Sequence, residues 1–370
     1  MDDRKIRVAI THGDTNGIGY EVIFKTFADP EMLELCTPII YGSPKVAAYH
    51  RKTLNLQANF SIISKAEDAR DGKVNLLTTF DEEVKVELGT PSKEAGQASL
   101  KALERAMADF GKGVYDVLVT APINKNNIQS EQFNFCGHTE YIEQRIGGGK
   151  ALMILLNDRL RVALVTTHLP IKDVAKAITL ENIMEQATIF HQSLRRDFRV
   201  SKPRIAVLSL NPHAGDNGVI GKEEQEVIVP AIEKLADNGI NVYGPFAADG
   251  FFGSGAYTSF DGVLAMYHDQ GLAPFKILAS EDGVNYTAGL PIVRTSPDHG
   301  TAYDIAGKGI ADENPFRHAV YTAIDVWRNR KNFDEPLANP LKKLYHEKRD
   351  DSEKVRFAIP KAKNEKPQAE

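Results

Sequence analysis

The chain has 370 residues, 42% of them hydrophobic, and its 45 Lys and Arg against 50 Asp and Glu give a net charge of −5. This length supports one large hydrophobic core or two ordinary ones. The acidic balance argues against a nucleic-acid-binding protein, and no apolar run approaches the ~20 residues of a membrane span. The first strand pattern is too short for a signal peptide, and the two cysteines form no Cys-x-x-Cys pair. We therefore expect a reduced, cytoplasmic protein.

Strand and helix patterns alternate along most of the chain. Strands are predicted at 5–10, 36–41, 114–120, 152–156, 161–167, 204–210, 262–267 and 290–294. Helices are predicted at 20–28, 44–54, 94–110, 139–146, 171–176, 180–198, 222–238 and 315–330. This alternation is typical of an α/β protein with a largely parallel sheet flanked by helices. The charged stretch 348–370 has no periodicity and is predicted to be a mobile tail.

Three histidines each follow an apolar run that has the pattern of a strand buried on both faces. They are His168 after 161–167, His213 after 204–210, and His268 after 262–267. Because the carboxyl ends of parallel strands face the ligand crevice of an open α/β sheet, the three imidazoles could converge on one divalent metal. The alternative for His213 is an exposed residue in an ordinary strand–turn–helix connection.

Polar residues near these histidines could bind an anion. His138 and Thr139 stand just before a predicted helix, where Thr139 could be the N-cap and free N–H groups attract phosphate or carboxylate. The alternative is a simple helix cap beside a surface histidine. Lys276, Asn285 and Arg294 lie in apolar or Gly-containing segments, and together they could clamp a phosphorylated, carboxylated small molecule, although a lone Lys or Arg is usually surface charge.

Two Gly-containing loops resemble nucleotide-binding loops to different degrees. The loop 12–19 follows the first strand, but its glycines do not have the spacing of the dinucleotide fingerprint. The loop 298–309 has a tight backbone that could wrap a nucleotide, and its alternative is a plain Gly-rich connection to the last helix. Composition alone does not decide between these two interpretations.

Taken together, these segments resemble the 4-hydroxythreonine-4-phosphate dehydrogenases, a family of pyridoxal phosphate biosynthesis. The resemblance runs from about Arg7 to Arg330. The motifs that carry it are Gly13-Asp14 with Gly17-Ile18-Gly19, then 120–125, 137–140, 167–170, 211–215, 266–271, 283–285, 289–291 and 294–302. The loop 299–309 also resembles the NAD loop of isopropylmalate dehydrogenases.

The resemblance implies an NAD-dependent enzyme that also needs one divalent metal ion. It would oxidise and decarboxylate 4-phosphooxy-L-threonine, a small phosphorylated hydroxy amino acid, to 3-amino-2-oxopropyl phosphate. The implied metal ligands are His168, His213 and His268. The implied substrate-binding residues are His138, Thr139, Lys276, Asn285 and Arg294. The implied NAD-binding residues are His299, Gly300, Thr301, Ala302 and Asp304. Lys276 and Asp249 are candidates for proton transfer.

The resemblance also implies two α/β domains with the active site in the cleft between them, as in isopropylmalate dehydrogenases. The outer domain would comprise 1–132 and 296–347 and carry the NAD loop. The middle domain, 133–295, would carry the metal ligands and the interface of a homodimer, and the metal site could draw ligands from both subunits. Three imidazoles suit zinc, cobalt or nickel, whereas availability and a carboxylate-bearing substrate could favour magnesium or manganese.

The chain departs from the family pattern in its first turn, where Thr15, Asn16 and Tyr20 replace Pro, Ala and Pro. This change leaves open a dehydrogenase of a related 4-phosphorylated hydroxy acid such as erythronate 4-phosphate. A metal-dependent lyase or decarboxylase without nicotinamide is a second alternative, and a non-catalytic binding protein is a third.

Overall fold

The computed structural model describes residues 4–80, 83–131, 133–135 and 137–340. The predicted tail 348–370 and Cys136 lie outside these residues. The described part contains twelve strands. They are β1 Ile6–Thr11, β2 Cys36–Gly42, β3 Ser61–Ile63, β4 Asn75–Thr78, β5 Val117–Thr120, β6 Leu152–Leu156, β7 Arg161–Leu164, β8 Arg204–Leu208, β9 Asn241–Phe246, β10 Gly262–Ala265, β11 Val284–Ala288 and β12 Arg294–Pro297.

The same described part of the chain contains eleven α-helices, ten between strands and the last after β12. They are α1 Gly19–Ala28, α2 Glu31–Leu35, α3 Pro44–Thr53, α4 Lys93–Phe110, α5 His138–Ile146, α6 Ile171–Ala177, α7 Leu180–Arg196, α8 Val229–Asp237, α9 Ala248–Gly253, α10 His268–Leu278 and α11 Asn314–Ala338. Within the described ranges, none of the helices has the length and apolar character needed to cross a membrane.

All twelve strands belong to one sheet, in the order β3-β4-β2-β1-β5-β12-β11-β6-β7-β10-β8-β9. Pairing is parallel except where β11 pairs with β12 and β6, and where β6 pairs with β7. The predicted α/β class with a largely parallel sheet is confirmed. β10 lies between β7 and β8 and is parallel to both. The carboxyl ends of these three strands therefore meet at the same edge of the sheet.

The strands of 6–120 and 294–297 occupy one half of the sheet, and those of 152–288 occupy the other. The sheet itself runs through both halves without a break. The division into an outer and a middle domain stays a prediction, because sheet order alone does not establish domain boundaries.

The strand predicted at 290–294 is wrong in position. Strand β11 ends at Ala288, the chain turns at Gly289, and β12 begins only at Arg294. Gly289 has φ +81°, and a Cβ there would lie 2.1 Å from the Lys150 carbonyl oxygen. The apolar residues Leu290, Ile292 and Val293 are buried in a connection rather than in a strand. Burial, not strand pairing, explains their apolar character.

A buried ion pair joins the two halves of the sheet behind β11. Asp197, at the end of α7, accepts a hydrogen bond of 2.7 Å from Arg330 Nε on α11 and another of 2.7 Å from the Tyr286 hydroxyl on β11. Arg330 also donates to the carbonyl oxygens of Leu290 and Pro291. Both charged side chains are nearly inaccessible, at 8% and 3% exposure. This network fixes α11 against the layer formed by α7.

Candidate active site

A cavity of about 200 Å3 lies beyond the carboxyl ends of β5 and β12, beside the N-terminus of α5. Seven of the residues singled out in the sequence line it: His138, Thr139, His168, Asn285, Arg294, His299 and Gly300. The fold thus gathers residues expected to bind substrate, metal and nucleotide around one space. Such a cavity at the carboxyl edge of a largely parallel sheet is the usual place for a ligand.

Arg294 is the most buried cation in this cavity wall, with 3% of its surface exposed. Its Nη2 and Nε donate to Thr120 Oγ1 at 2.6 and 3.2 Å, and its Nη1 donates to Thr287 Oγ1 at 3.3 Å. Burial lowers its pKa to about 10, although the charge of Glu140 opposes this shift. Among the described residues no carboxylate forms an ion pair with it. A buried cation bonded only to hydroxyl groups favours an anionic ligand beside it.

Four buried polar atoms in the cavity wall have no hydrogen-bond partner within the described ranges. They are His138 Nε2, Glu140 Oε2, Asn285 Oδ1 and His299 Nε2. Because nearly all buried polar atoms in proteins are hydrogen-bonded, four such atoms around one cavity indicate a polar ligand. Burial, together with the charges of Arg294 and Lys125, lowers the pKa of His138 well below its ordinary value. Its ring is therefore neutral at pH 7.

His168 is held at the cavity by residues from two other elements. Its Nδ1 donates to Glu140 Oε1 of α5 at 3.1 Å, and its Nε2 accepts from Lys125 Nζ at 3.2 Å. These partners imply the tautomer with the proton on Nδ1. Burial raises the pKa of Glu140, but the hydrogen bonds from His168 and from its own backbone amide, together with the charge of Lys125, outweigh burial and lower the pKa overall. Glu140 therefore orients an imidazole whose other nitrogen faces a cation.

The predicted metal ligands follow three neighbouring strands. The rings of His168, after β7, and His268, the first residue of α10 after β10, have centroids 6.1 Å apart. His213 follows β8 in a turn where its own φ is +53° and the next residues are also left-handed, a costly backbone that clusters at functional sites. Buried Glu224 supports this turn by accepting from the Leu210 and Asn211 amides.

Two adjacent imidazoles fit the donor set of a divalent cation, so the chemistry of the residues suits the implied metal. In one copy of the described chain, however, no cluster of three or more His, Cys, Asp or Glu side chains is close enough to hold a metal ion. His268 Nδ1 bonds Asp269 Oδ1 at 2.6 Å. The three-histidine site stays a prediction.

The predicted nucleotide loop begins in the cavity wall. His299 Nδ1 donates to the Gly300 carbonyl oxygen at 3.0 Å, and burial lowers the pKa of His299 despite this bond. Lys276 lies on the other side of His299, where its Nζ is 3.6 Å from Asp298 Oδ1. Lys276 lines a neighbouring cavity of about 310 Å3 that shares Asp298 and His299 with the first. Further along the loop, Thr301, Ala302 and Asp304 lie beyond the cavity wall.

The N-cap prediction for α5 differs from the structure in position. Thr139 is not the N-cap of α5, because the helix begins at His138 and its N-cap is Gly137, which has no side chain to cap the first turn. Asp249 is exposed on α9 and lies outside the wall of the main cavity in the same copy of the chain. Its predicted role in proton transfer is therefore not supported by proximity within one chain.

Sequence reasoning assigned no role to Lys125, Glu140 and Thr120, which complete the site. Lys125 and Thr120 belong to the segment that leaves β5, and Glu140 follows Thr139 in the first turn of α5. The sequence did contain a signal for these residues, because each lies inside one of the motifs that carry the family resemblance. Their partners, however, lie 28 to 174 residues away and are set by sheet order.

Comparison with known proteins places this chain in one family. The family model for the pyridoxal phosphate biosynthetic protein PdxA matches residues 34–323. A 4-hydroxythreonine-4-phosphate dehydrogenase of Bacteroides thetaiotaomicron is 64% identical over 96% of this chain and 98% of its own length. A relative from Oceanobacillus iheyensis, provisionally named D-threonate 4-phosphate dehydrogenase, is 38% identical over 87% of this chain and 98% of its own.

A solved structure also supports membership of this family. The crystal structure of 4-hydroxythreonine-4-phosphate dehydrogenase from Klebsiella pneumoniae superposes with a TM-score of 0.75 at 30% identity, covering 88% of this chain and 99% of the other. Sequence and structure agree over nearly the whole length of these relatives. The chain belongs to the family of pyridoxal phosphate biosynthetic protein PdxA.

Proposed function

We propose that the protein is a 4-hydroxythreonine-4-phosphate dehydrogenase of pyridoxal 5'-phosphate biosynthesis. It converts 4-phosphooxy-L-threonine and NAD to 3-amino-2-oxopropyl phosphate, CO2 and NADH, with one divalent metal ion. The names of the relatives support this substrate, and their similarity spans nearly the whole of this chain. We further propose that the protein is cytoplasmic and works as a homodimer.

The observation that carries the proposal is the buried guanidinium of Arg294 beside unpartnered His138 Nε2, at a cavity of about 200 Å3. A phosphorylated amino acid supplies the anion that Arg294 lacks and polar groups for the unpartnered atoms. Thr120 aims the guanidinium through two hydrogen bonds. The phosphate or the carboxylate of the substrate then binds a preorganised donor rather than a mobile surface charge.

We assign separate roles to the other residues of the wall. Thr139 and Asn285 position the polar groups of the substrate, and the loop that contains His299, Gly300, Thr301, Ala302 and Asp304 binds NAD. Lys276, which contacts Asp298 next to this loop, is a candidate for proton transfer when the carboxylate leaves as CO2. Asp249 is the other candidate, and because it lies outside the wall of the main cavity in its own chain, it would act from a second copy of the chain.

His168, His213 and His268 would hold the metal, with zinc, cobalt, magnesium and manganese as the candidate ions. His213 would complete a site to which a second copy contributes, which would explain why one chain alone lacks three clustered ligands. When bound, the cation would polarise the substrate hydroxyl as a Lewis acid, and NAD would accept the hydride from the carbon that bears this hydroxyl. Glu140 fixes the tautomer of His168 that leaves Nε2 as the ligand atom.

A dehydrogenase of a related 4-phosphorylated hydroxy acid, such as erythronate 4-phosphate, is the second candidate. The provisional name of the relative from Oceanobacillus iheyensis favours this class. The changed first turn of this chain, with Thr15, Asn16 and Tyr20, lies beside the nucleotide loop rather than in the wall of the cavity. This position favours an unchanged substrate, so we rank the phosphothreonine reaction first.

The test is NADH formation by the purified protein with 4-phosphooxy-L-threonine, erythronate 4-phosphate and threonate 4-phosphate. Each substrate is assayed with NAD and NADP, before and after chelation and metal return. We expect the highest kcat/KM with 4-phosphooxy-L-threonine and NAD, and loss of activity on chelation. A higher kcat/KM with one of the other acids would transfer the assignment to that acid.

The metal ligands are tested by His168→Ala, with His191→Ala on α7 as the matched histidine control. We expect His168→Ala to lose bound metal and turnover while its circular dichroism is unchanged, and His191→Ala to keep both. Full metal content in His168→Ala would contradict the assignment.

A further inference from the structure

Asn16 is a fully buried amide in the turn between β1 and α1, and all its side-chain hydrogen bonds reach one distant segment, 87–92. Its Oδ1 accepts from the Glu87 amide at 2.8 Å. Its Nδ2 donates to the Thr90 carbonyl oxygen at 2.8 Å and to Ser92 Oγ at 3.1 Å. Its main-chain carbonyl oxygen accepts from the Gly89 amide at 2.9 Å. An alanine at this position could make only the last of these four bonds.

The same turn also contacts the loop that we propose to bind NAD. The Ile18 amide donates to the Thr301 carbonyl oxygen at 3.1 Å, and Asp14 Oδ2 accepts from the Tyr303 hydroxyl at 2.9 Å. The approach is close, because a Cβ on Gly17 would lie 2.8 Å from the Thr301 oxygen. Neither the turn nor the loop has room to shift towards the other.

The 87–92 segment packs against this loop from a second side. A Cβ on Gly89, whose φ is +79°, would lie 2.9 Å from the Tyr303 carbonyl oxygen. A Cβ on Gly307 would lie 2.7 Å from Leu88 Cδ1. The first turn, the 87–92 segment and the loop therefore contact one another pairwise, and Asn16 supplies the polar bonds between the first two.

The loop needs such support because residues 299–309 contain no helix or strand. Its first residues, His299 and Gly300, lie in the wall of the main cavity. A ligand that binds to an unsupported loop has to order it, and the lost conformational entropy weakens binding. Contacts that hold the loop before the ligand arrives remove that cost.

We propose that Asn16 is a positioning residue for the nicotinamide dinucleotide: it holds the 87–92 segment against residues 301–307 and so keeps the nucleotide loop in its binding conformation. This inference rests on the proposed use of NAD. Asn16 itself does not touch the main cavity, so its effect reaches NAD through the loop and leaves the anion site around Arg294 unchanged.

The experiment compares Asn16→Ala, Asn16→Asp and Leu88→Ala with the wild-type enzyme. Thr90→Ala is the matched control, because Asn16 bonds the main-chain oxygen of Thr90 and the control keeps that bond. Calorimetry gives the Kd for NAD, steady-state kinetics gives KM and kcat, and amide hydrogen exchange follows peptides that cover 87–92 and 301–307.

For Asn16→Ala we expect the Kd and KM for NAD to rise about tenfold, while the KM for the phosphorylated substrate stays within about twofold. Exchange should speed up in both peptides. Asn16→Asp keeps the acceptor for the Glu87 amide but places a buried carboxylate oxygen against the Thr90 carbonyl oxygen, so its effect should be at least as large as that of Asn16→Ala. Leu88→Ala loosens the same contact without touching Asn16 and should also weaken NAD binding. Thr90→Ala should match the wild type.

Faster exchange in the 87–92 peptide with an unchanged Kd for NAD in Asn16→Ala and Leu88→Ala would overturn the inference, since the segment would then be structural only. An equal rise in the KM of both substrates would overturn it as well. If the wild-type enzyme itself bound no NAD, the proposed cofactor and this inference would both fail. This failure differs from a failure of the inference alone, because adding NAD would then not slow amide hydrogen exchange in the wild-type loop.

Discussion

Thr120 Oγ1 accepts two hydrogen bonds from Arg294, at 2.6 Å from Nη2 and 3.2 Å from Nε. Thr120 ends β5, and Arg294 begins β12, which pairs with β5 in parallel. The pairing of the two strands therefore fixes the direction of a buried guanidinium that has no carboxylate partner among the described residues. This relationship distinguishes a prepared anion site from an ordinary ion pair.

We predict that Arg294→Met raises the KM for the phosphorylated substrate about 10- to 100-fold, because a charge-assisted hydrogen bond contributes about 1.5–3 kcal/mol. The thermal midpoint should stay the same or rise, since the variant removes a buried cation without leaving a carboxylate unpaired. Steady-state kinetics and calorimetry check the two parts. Thr120→Val keeps the Arg294 guanidinium but removes the hydroxyl that orients it, so KM should rise less than in Arg294→Met. An unchanged KM in Arg294→Met would remove this residue from the substrate site.

We predict that Lys125→Met binds Co2+ about fivefold more tightly than the wild type in the absence of substrate, which corresponds to about 1 kcal/mol of relieved repulsion. The Lys125 ammonium lies 3.2 Å from His168 Nε2, the atom that we propose as a metal ligand. Competition with a chromophoric chelator measures the Kd. Lys150→Met, which removes a cation paired with Glu185, is the control and should leave it unchanged. If Lys125→Met bound Co2+ more weakly than the wild type, Lys125 would stabilise the metal site rather than repel the metal ion.

We predict that stability falls below about pH 6.5, because two buried histidines resist protonation. Burial lowers the pKa of His12 and of His50 from 6.5 to about 4. Above pH 6.5 both states are neutral at these sites and stability is complete. As the pH falls, the unfolded chain takes up protons that the folded protein does not, so at pH 5 each histidine costs about 2 kcal/mol of stability.

Urea unfolding between pH 8 and pH 4.5 measures this loss. His50→Gln keeps a donor for the Thr15 carbonyl oxygen, which His50 Nε2 contacts at 2.8 Å, but cannot be protonated. Its free energy of unfolding should therefore fall less steeply with acid than that of the wild type. If the free energy of unfolding of His50→Gln falls with acid as steeply as that of the wild type, the assignment of the stability loss to His50 is contradicted.

We predict that Arg330→Met destabilises the protein by about 3–5 kcal/mol, because it leaves the Asp197 carboxylate buried without its cation. Arg196→Met is the control on the neighbouring helix. Its ion pair with Asp334 is only partly buried, and solvent screens the charges, so the change should cost less than about 1 kcal/mol. Urea unfolding compares the two variants. Equal losses of unfolding free energy in the two variants would show that another group pairs with Asp197 when Arg330 is removed.

The departures of the first turn from the family pattern show what sequence comparison establishes and what it leaves to the structure. Sequence shows that Thr15, Asn16 and Tyr20 are unusual and places them near the crevice. The structure shows what they contact: the Thr15 carbonyl oxygen bonds His50, Asn16 binds the 87–92 segment, and the Tyr20 hydroxyl accepts from the Ser43 amide. Each partner comes from another part of the chain, so no local pattern could have named it.

By itself, the sequence determined the α/β class, the approximate course of most strands and helices, and the family, because apolar periodicity and ordered motifs are properties of neighbouring residues. It also placed His168, His213 and His268 after strands that proved to be adjacent. The tertiary structure decided which side chains meet, such as Lys125 with His168 and Arg294 with Thr120. Those contacts depend on the order and direction of strands in the sheet, which are set by packing over the whole chain rather than by any local stretch.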